Sequence, residues 1–204
     1  TVAGLATSFG SAAMTNSLSE VEYYDALFVI GSNATEAHPI IGGKMKRAVR
    51  DGARLVVADP RRTELAALAE SAGVWLQLIP GTDAALVNGM MNIIINEGWA
   101  DGEFIERRCE GYDDLRSVVQ HYTPDVASRI TGVSEDKLRV AAEIYARTPR
   151  AGIFYTLGIT EHTTGTANVI NLANLAMVTG HVGVPHAGLN PLRGQNNVQG
   201  ACDM

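Results

Sequence analysis

Ala26-Leu27-Phe28-Val29-Ile30 is an unbroken apolar run that stops at Gly31-Ser32-Asn33. A run this short, rich in β-branched and aromatic residues, suits a strand covered on both faces, as in a parallel sheet. Upstream, Ser19 and Glu22 have the spacing of a capping box for one helical turn. Downstream, Pro39 can sit in the first turn of a helix. Ile40, Ile41, Met45, Ala48 and Val49 share one side of it, and Lys44, Lys46, Arg47 and Arg50 lie largely on the other, before Asp51-Gly52 ends it.

The cycle then repeats. Arg54 to Ala58 reads as a second strand, Asp59-Pro60-Arg61-Arg62 as a turn, and Thr63 as the cap of a helix over Glu64 to Glu70. Gly73 stops that helix, Val74 to Leu78 reads as a third strand, and Pro80-Gly81-Thr82-Asp83 opens a helix running to Glu97. Residues 99–149 lack strand patterning and read as an insertion of short helices, the last capped by Ser134. Ala151 to Thr156 returns as a fourth strand, followed by Leu157-Gly158-Ile159-Thr160 and a helix from about Thr164 to Thr179. The tail, 181–204, is rich in glycine and amides and shows no hydrophobic period. Strands alternating with helices imply an α/β domain: three layers around a doubly wound, mainly parallel, Rossmann-like sheet, forming a single domain over residues 1–204.

Composition narrows the function classes. The 204 residues carry 22 acidic and 16 basic side chains, a net charge of −6. Nucleic acid is therefore not expected as a partner, because no surplus of Lys and Arg is available to neutralise phosphates. No apolar run approaches the roughly 20 residues of a membrane span. Cys109 and Cys202 lie far apart without CxxC context, so neither a disulfide framework nor a metal knot is expected, and a reducing, cytoplasmic compartment fits.

Ligands of open parallel sheets bind at the carboxyl ends of the strands. Four loops qualify: Gly31-Ser32-Asn33, Asp59-Pro60-Arg61-Arg62, Pro80-Gly81-Thr82-Asp83 and Leu157-Gly158-Ile159-Thr160. Glycine at a strand end lets a ligand approach the backbone. The helix opening at Thr82 offers N–H groups and a dipole to an anion. Asp59 can accept from ribose hydroxyls or a base edge, and Arg61 and Arg62 can meet phosphate or carboxylate. Each loop taken singly also reads as an ordinary loop with an N-cap. Neither GxGxxG nor a Walker lysine follows the first strand. Glu36 and His38 either face the ligand or cap the Pro39 helix, and His162 would face the same crevice. In the tail, Arg193 is the one basic group among glycines and amides; it suits a small anion or a developing negative charge, or belongs to a solvated linker.

The tail Asn190-Pro191-Leu192-Arg193-Gly194-Gln195-Asn196-Asn197-Val198-Gln199-Gly200-Ala201-Cys202-Asp203-Met204 resembles the signature of molybdenum- or tungsten-dependent formate dehydrogenase catalytic (alpha) subunits, in the molybdopterin oxidoreductase superfamily. The similarity extends in order through the loop from Gly31 to Pro39, Asp59-Pro60-Arg61, Pro80 to Asp83, Tyr122-Thr123-Pro124, Ile130 to Val133 and Gly158-Ile159-Thr160. The resemblance implies a bis-molybdopterin guanine dinucleotide cofactor carrying Mo or W, held in part by one internal domain such as this. It places Gly31, Ser32, Asn33, Glu36, His38, Asp59, Arg61, Arg62, Gly81, Thr82 and Asp83 around the guanine nucleotide and phosphates. Leu157, Gly158 and Glu161 would follow the cofactor, with Gln195 near the pterin; many relatives have glutamine where Glu161 stands. Arg193 matches the arginine that orients formate. The metal-ligating Cys or selenocysteine is expected upstream of Thr1, preceded by a [4Fe-4S] domain. The partners implied are formate, the remaining domains of a longer chain and electron-transfer subunits. Another superfamily enzyme, such as a nitrate reductase, or a free-standing nucleotide-binding module are the alternatives.

Overall fold

In the computed structural model, which describes residues 1–195 and 197–203, the Ala26–Ile30 run is strand β1 and all five residues are buried. The elements follow in order: α1 (Val2–Phe9), a 3₁₀ turn (Leu18–Tyr23), β1 (Ala26–Ile30), α2 (Ala34–Ala37), α3 (Pro39–Arg50), β2 (Arg54–Ala58), α4 (Glu64–Ala72) and β3 (Gly73–Leu76). Then come α5 (Asp83–Asn96), α6 (Gly102–Arg108), α7 (Tyr112–Val119), α8 (Pro124–Thr131), α9 (Glu135–Ala146), β4 (Ala151–Tyr155), α10 (Leu157–Thr160), α11 (Gly165–Val178), β5 (Gly188–Pro191) and α12 (Val198–Asp203). The strand order is β3-β2-β1-β4-β5 and every pairing is parallel.

The pleat of β1 assigns its residues to two cores. Ala26, Phe28 and Ile30 share one cluster with residues of α1, α5, α9 and α11; Leu27 and Val29 share the other with α3 and α4. Fully burying a side chain such as Phe28 or Ile30 contributes about 1.5–3 kcal/mol. The result is a three-layer, doubly wound α/β fold, as the alternating pattern implies.

The helical stretch between β3 and β4 is not uniform. α9 packs against β1, β2, β3 and β4 and is the crossover helix that the doubly wound sheet requires, whereas α7 and α8 pack on α5. Gly89 of α5 permits that approach, since a Cβ there would come within 2.5 Å of the Ala127 Cβ. Asn92 of α5 donates to the Val119 carbonyl at 3.1 Å, satisfying the end of α7. The added helices also fix the loop before α5, because Ile79 N–H donates to the Thr131 carbonyl at 2.9 Å.

Several features depart from the sequence expectation, among them the short helices α2 and α10 in stretches read as loops. The tail contributes a fifth strand: Gly188 to Pro191 pair with Gly152 to Tyr155. Its polar, proline-containing sequence is tolerable because an edge strand ladders on one side only. The other side is covered by Thr15, whose N–H donates to the Leu189 carbonyl at 3.2 Å while its hydroxyl accepts from Leu189 N–H at 2.9 Å. Asn190, buried, donates to the Tyr24 hydroxyl. The opening small residues form α1, with Leu5 buried and Gly4 against Val169 of α11. The capping box belongs to Ser17 and Glu20, because Glu22 is engaged by Lys44 and Arg47.

Candidate functional site

β1 and β4 lie side by side, yet the helices that follow them join opposite layers: α3 packs on one face and α11 on the other. Such a divergence opens a crevice at the carboxyl edge of the sheet. A cavity of about 370 Å³ occupies it. Gly31, Ser32 and Asn33 line it from β1, Asp59 and Arg61 from β2, Gly81 and Asp83 from the head of α5, and Thr156, Leu157, Gly158 and His162 from β4.

The floor of the crevice is backbone against backbone. Gly158 N–H donates to the Gly31 carbonyl at 3.1 Å, and the Thr156 hydroxyl donates to the same oxygen at 2.8 Å. A Cβ on Gly158 would stand 2.6 Å from the Gly31 oxygen, and one on Gly31, at φ +56°, would stand 2.8 Å from the Gly158 carbonyl carbon. These two glycines are therefore required by each other before any ligand arrives. Thr156, which closes the triangle, carries no sequence signal beyond being the polar residue that ends a strand.

The walls are acidic and buried. Asp59 is 5% exposed. Its carboxylate accepts from Arg61 N–H at 2.8 Å, and its main-chain carbonyl accepts from Trp75 Nε1 at 2.9 Å. The Arg61 guanidinium stays largely in solvent, 4.0 Å from the Asp59 carboxylate. Asp83, the first residue of α5, is 6% exposed. Burial pushes its carboxyl above the usual range and the Asp59 charge adds to the rise; its own N–H and His162 oppose it. His162 Nε2 lies 2.9 Å from the Gly158 carbonyl and 4.0 Å from the Asp83 carboxylate. A carbonyl can only accept, so Nε2 carries the proton. The Ser32 hydroxyl is buried and unpartnered among the described residues. An unmatched buried hydroxyl is unfavourable, which marks this atom as one a ligand would satisfy.

Other expected site residues stand apart from the cavity. Arg62 is directed along α4, where its guanidinium grips both oxygens of Glu70 at 2.9 and 2.7 Å. The Thr82 hydroxyl donates to the Ile79 carbonyl at 2.6 Å, shaping the turn before α5. Glu36, Glu161 and Gln195 are exposed. His38, at the junction of α2 and α3, approaches the Arg193 carbonyl through Nε2 at 2.5 Å. Arg193 follows β5, and its guanidinium donates to the Ala12 carbonyl at 3.0 Å. Ala12, in the segment after α1, is a partner that sequence reasoning missed, since 181 residues separate the two. The expected signature positions Asn196 and Met204 lie outside the described residues.

Among the described residues, no group of three His, Cys, Asp or Glu could hold a metal ion, and no helix is long and apolar enough to cross a membrane.

A family model described as molybdopterin oxidoreductase matches residues 3–204. The chain is 48% identical over 204 residues to the F420-dependent formate dehydrogenase subunit alpha of Methanocaldococcus jannaschii, covering 100% of this chain and 30% of that protein. It is 44% identical over 203 residues to formate dehydrogenase H of Escherichia coli, covering 100% of this chain and 28% of that protein. Among solved structures, acetylene hydratase from Pelobacter acetylenicus matches with a TM-score of 0.80 at 32% identity, over 92% of this chain and 25% of that one. The chain thus spans about 30% of the length of the curated relatives it matches. Matched along nearly its whole length, from α1 to the Arg193 tail, this chain belongs to the molybdopterin oxidoreductase family.

Proposed function

We propose that this chain is one cofactor-holding domain of a molybdenum or tungsten formate dehydrogenase, which converts formate to carbon dioxide, two electrons and a proton. The observation that carries the reading is the 48% identity to a formate dehydrogenase alpha subunit along the entire chain, the tail with Arg193 included. Identity to a nitrate reductase of Symbiobacterium thermophilum is lower, at 36%.

The residues present fit a molybdopterin guanine dinucleotide. The crevice volume lies within the roughly 300–1,000 Å³ of small-molecule sites. Asp59 and Asp83 offer acceptors to the donor groups of a guanine edge or to ribose hydroxyls. The orphaned Ser32 hydroxyl and the Arg61 guanidinium suit phosphate oxygens. Because the Asp83 carboxyl already occupies the head of α5, the Thr82–Asp83 end favours the base or ribose over a phosphate, which would meet a like charge there. Gly31, Asn33, Gly81, Leu157 and Gly158 supply backbone that the nucleotide can lie against. Glu36, Arg62, Glu161 and Gln195 belong to the same reading only at its margin, since each is exposed or paired elsewhere. When bound, the metal–pterin group supplies the two-electron acceptor. Arg193 binds the formate carboxylate through its planar fork and steadies its charge.

The metal ligand, a [4Fe-4S] domain and contacts with electron-transfer subunits belong to other parts of the longer protein in this reading. A cytoplasmic location accompanies it, supported by the Cys109 thiol, which has no disulfide partner among the described residues. The test is Arg193→Ala in the full-length enzyme: formate turnover falls about 10²–10³-fold, with metal and guanine-nucleotide content unchanged. Undiminished turnover would sink the role given to Arg193.

A further inference from the structure

The hydrogen-bonded ladder between β4 and β5 ends at Leu192, whose N–H donates to the Tyr155 carbonyl at 2.8 Å. Beyond it, Gly194 and Gln195 are exposed. Among the described residues, Arg193 is held at two points: its guanidinium by the Ala12 carbonyl, and its own carbonyl by His38. The His38 end of this tether is stiff. Its N–H donates to the Ala34 carbonyl at 3.0 Å, its carbonyl accepts from Gly42 N–H at 2.9 Å, and Pro39 fixes the next residue.

The partner of Nε2 is a carbonyl, which can only accept, so Nε2 bears a proton and donates. The other ring nitrogen, Nδ1, is buried and has no partner among the described residues. Among the described residues, the ring is oriented by one bond, and that bond points at Arg193. Ala37, immediately before it, and Asn33, five residues before, line the crevice. His38 joins the loop around the nucleotide site to the arginine 155 residues later.

We propose that His38 is a positioning residue that holds Arg193 in register with the crevice loop, rather than a ligand of the nucleotide. This rests on the reading of Arg193 as the formate-binding group, and the experiment separates the two. In the full-length holoenzyme, His38→Ala and His38→Gln are compared with Arg193→Ala for formate KM, kcat, metal and guanine-nucleotide content. The Gln side-chain amide reaches about as far as Nε2 and donates to the same carbonyl. His38→Ala raises formate KM about fivefold to tenfold, the loss of one hydrogen bond, with kcat less affected and nucleotide content unchanged. His38→Gln stays within about twofold of the native enzyme. A crystal structure of the His38→Ala holoenzyme shows the Arg193 guanidinium moved off the Ala12 carbonyl.

The proposal is overturned by an unchanged KM or an unmoved guanidinium in His38→Ala, by loss of nucleotide or metal there, or by failure of Gln to restore KM. If Arg193→Ala itself leaves formate oxidation intact, the reading of Arg193 falls instead.

Discussion

The two ends of the same parallel sheet make opposite demands. At the amino end, Asp25 and Arg150 meet in a two-pronged pair, both contacts 2.6 Å, with each side chain nearly half exposed. Arg54 there donates to the Ala72 carbonyl, and His181, after α11, is buried with its Nδ1 beside the Thr179 hydroxyl. The carboxyl end holds two buried carboxyls, an orphaned hydroxyl and a floor of glycine backbone. Burying polar groups is unfavourable unless they are matched. The amino edge pairs its charged groups internally, although the Tyr145 hydroxyl beside His181 is buried without a partner among the described residues; the carboxyl edge presents carboxyls and a hydroxyl that suit a polar ligand. Strand identity does not create this contrast. It comes from the divergence of the chain after β1 and β4.

The contrast can be broken from either end. The largest effect belongs to Arg193→Ala, whose loss of about 10²–10³ in turnover without loss of cofactor keeps binding and chemistry on separate residues. Next is the self-contained end. Burial pushes the His181 imidazole down to about 4 from an ordinary 6.5, against the opposing pull of a backbone bond to Thr148 and the Asp101 charge. A depressed histidine contributes stability that is complete above its unfolded value and is lost as pH falls through the folded one. Urea unfolding should therefore lose about 2 kcal/mol between pH 7 and pH 5. His181→Gln should flatten that slope; an equal slope in the variant would assign the acid sensitivity elsewhere. Of comparable size is Gly158→Ala, where the new methyl meets the Gly31 carbonyl. Because backbone must move, a destabilisation of about 1–3 kcal/mol is expected, together with lower guanine-nucleotide content. Full nucleotide content in that variant would mean that the glycine floor does not shape the binding crevice.

Much of this was legible in the sequence, for definable reasons. Runs such as Ala26 to Ile30 and Ala151 to Tyr155 are buried on both faces, so hydrophobicity alone announces them. β5 was not legible, because an edge strand that shares its ladder with Thr15 needs no apolar alternation. Ser17 with Glu20 and Ser19 with Glu22 have the same spacing, and only the tertiary pairing of Glu22 with Lys44 separates them. The crevice loops were readable from glycine, Asp59 and Asp83 at strand and helix ends. Arg61 and Arg62 were not separable, since what turns Arg62 away is Glu70, eight residues on along α4. His38 reads locally either as a residue facing a ligand or as a cap of the Pro39 helix, and it stands at the N-cap position without a side-chain cap bond; its bond to Arg193 spans 155 residues and leaves no local trace. Fold alone does not fix the reaction, as the likeness to an acetylene hydratase makes plain.

In the proposed function, the carboxyl-edge crevice receives the guanine nucleotide. The most direct measurement is an experimental structure of the cofactor-loaded full-length protein. Guanine or ribose density is expected between the β1 and β4 loops, within hydrogen-bond reach of the Asp59 or Asp83 carboxyl and with a partner supplied to the Ser32 hydroxyl. Nucleotide density elsewhere, with the crevice filled by side chains from another domain, would contradict it.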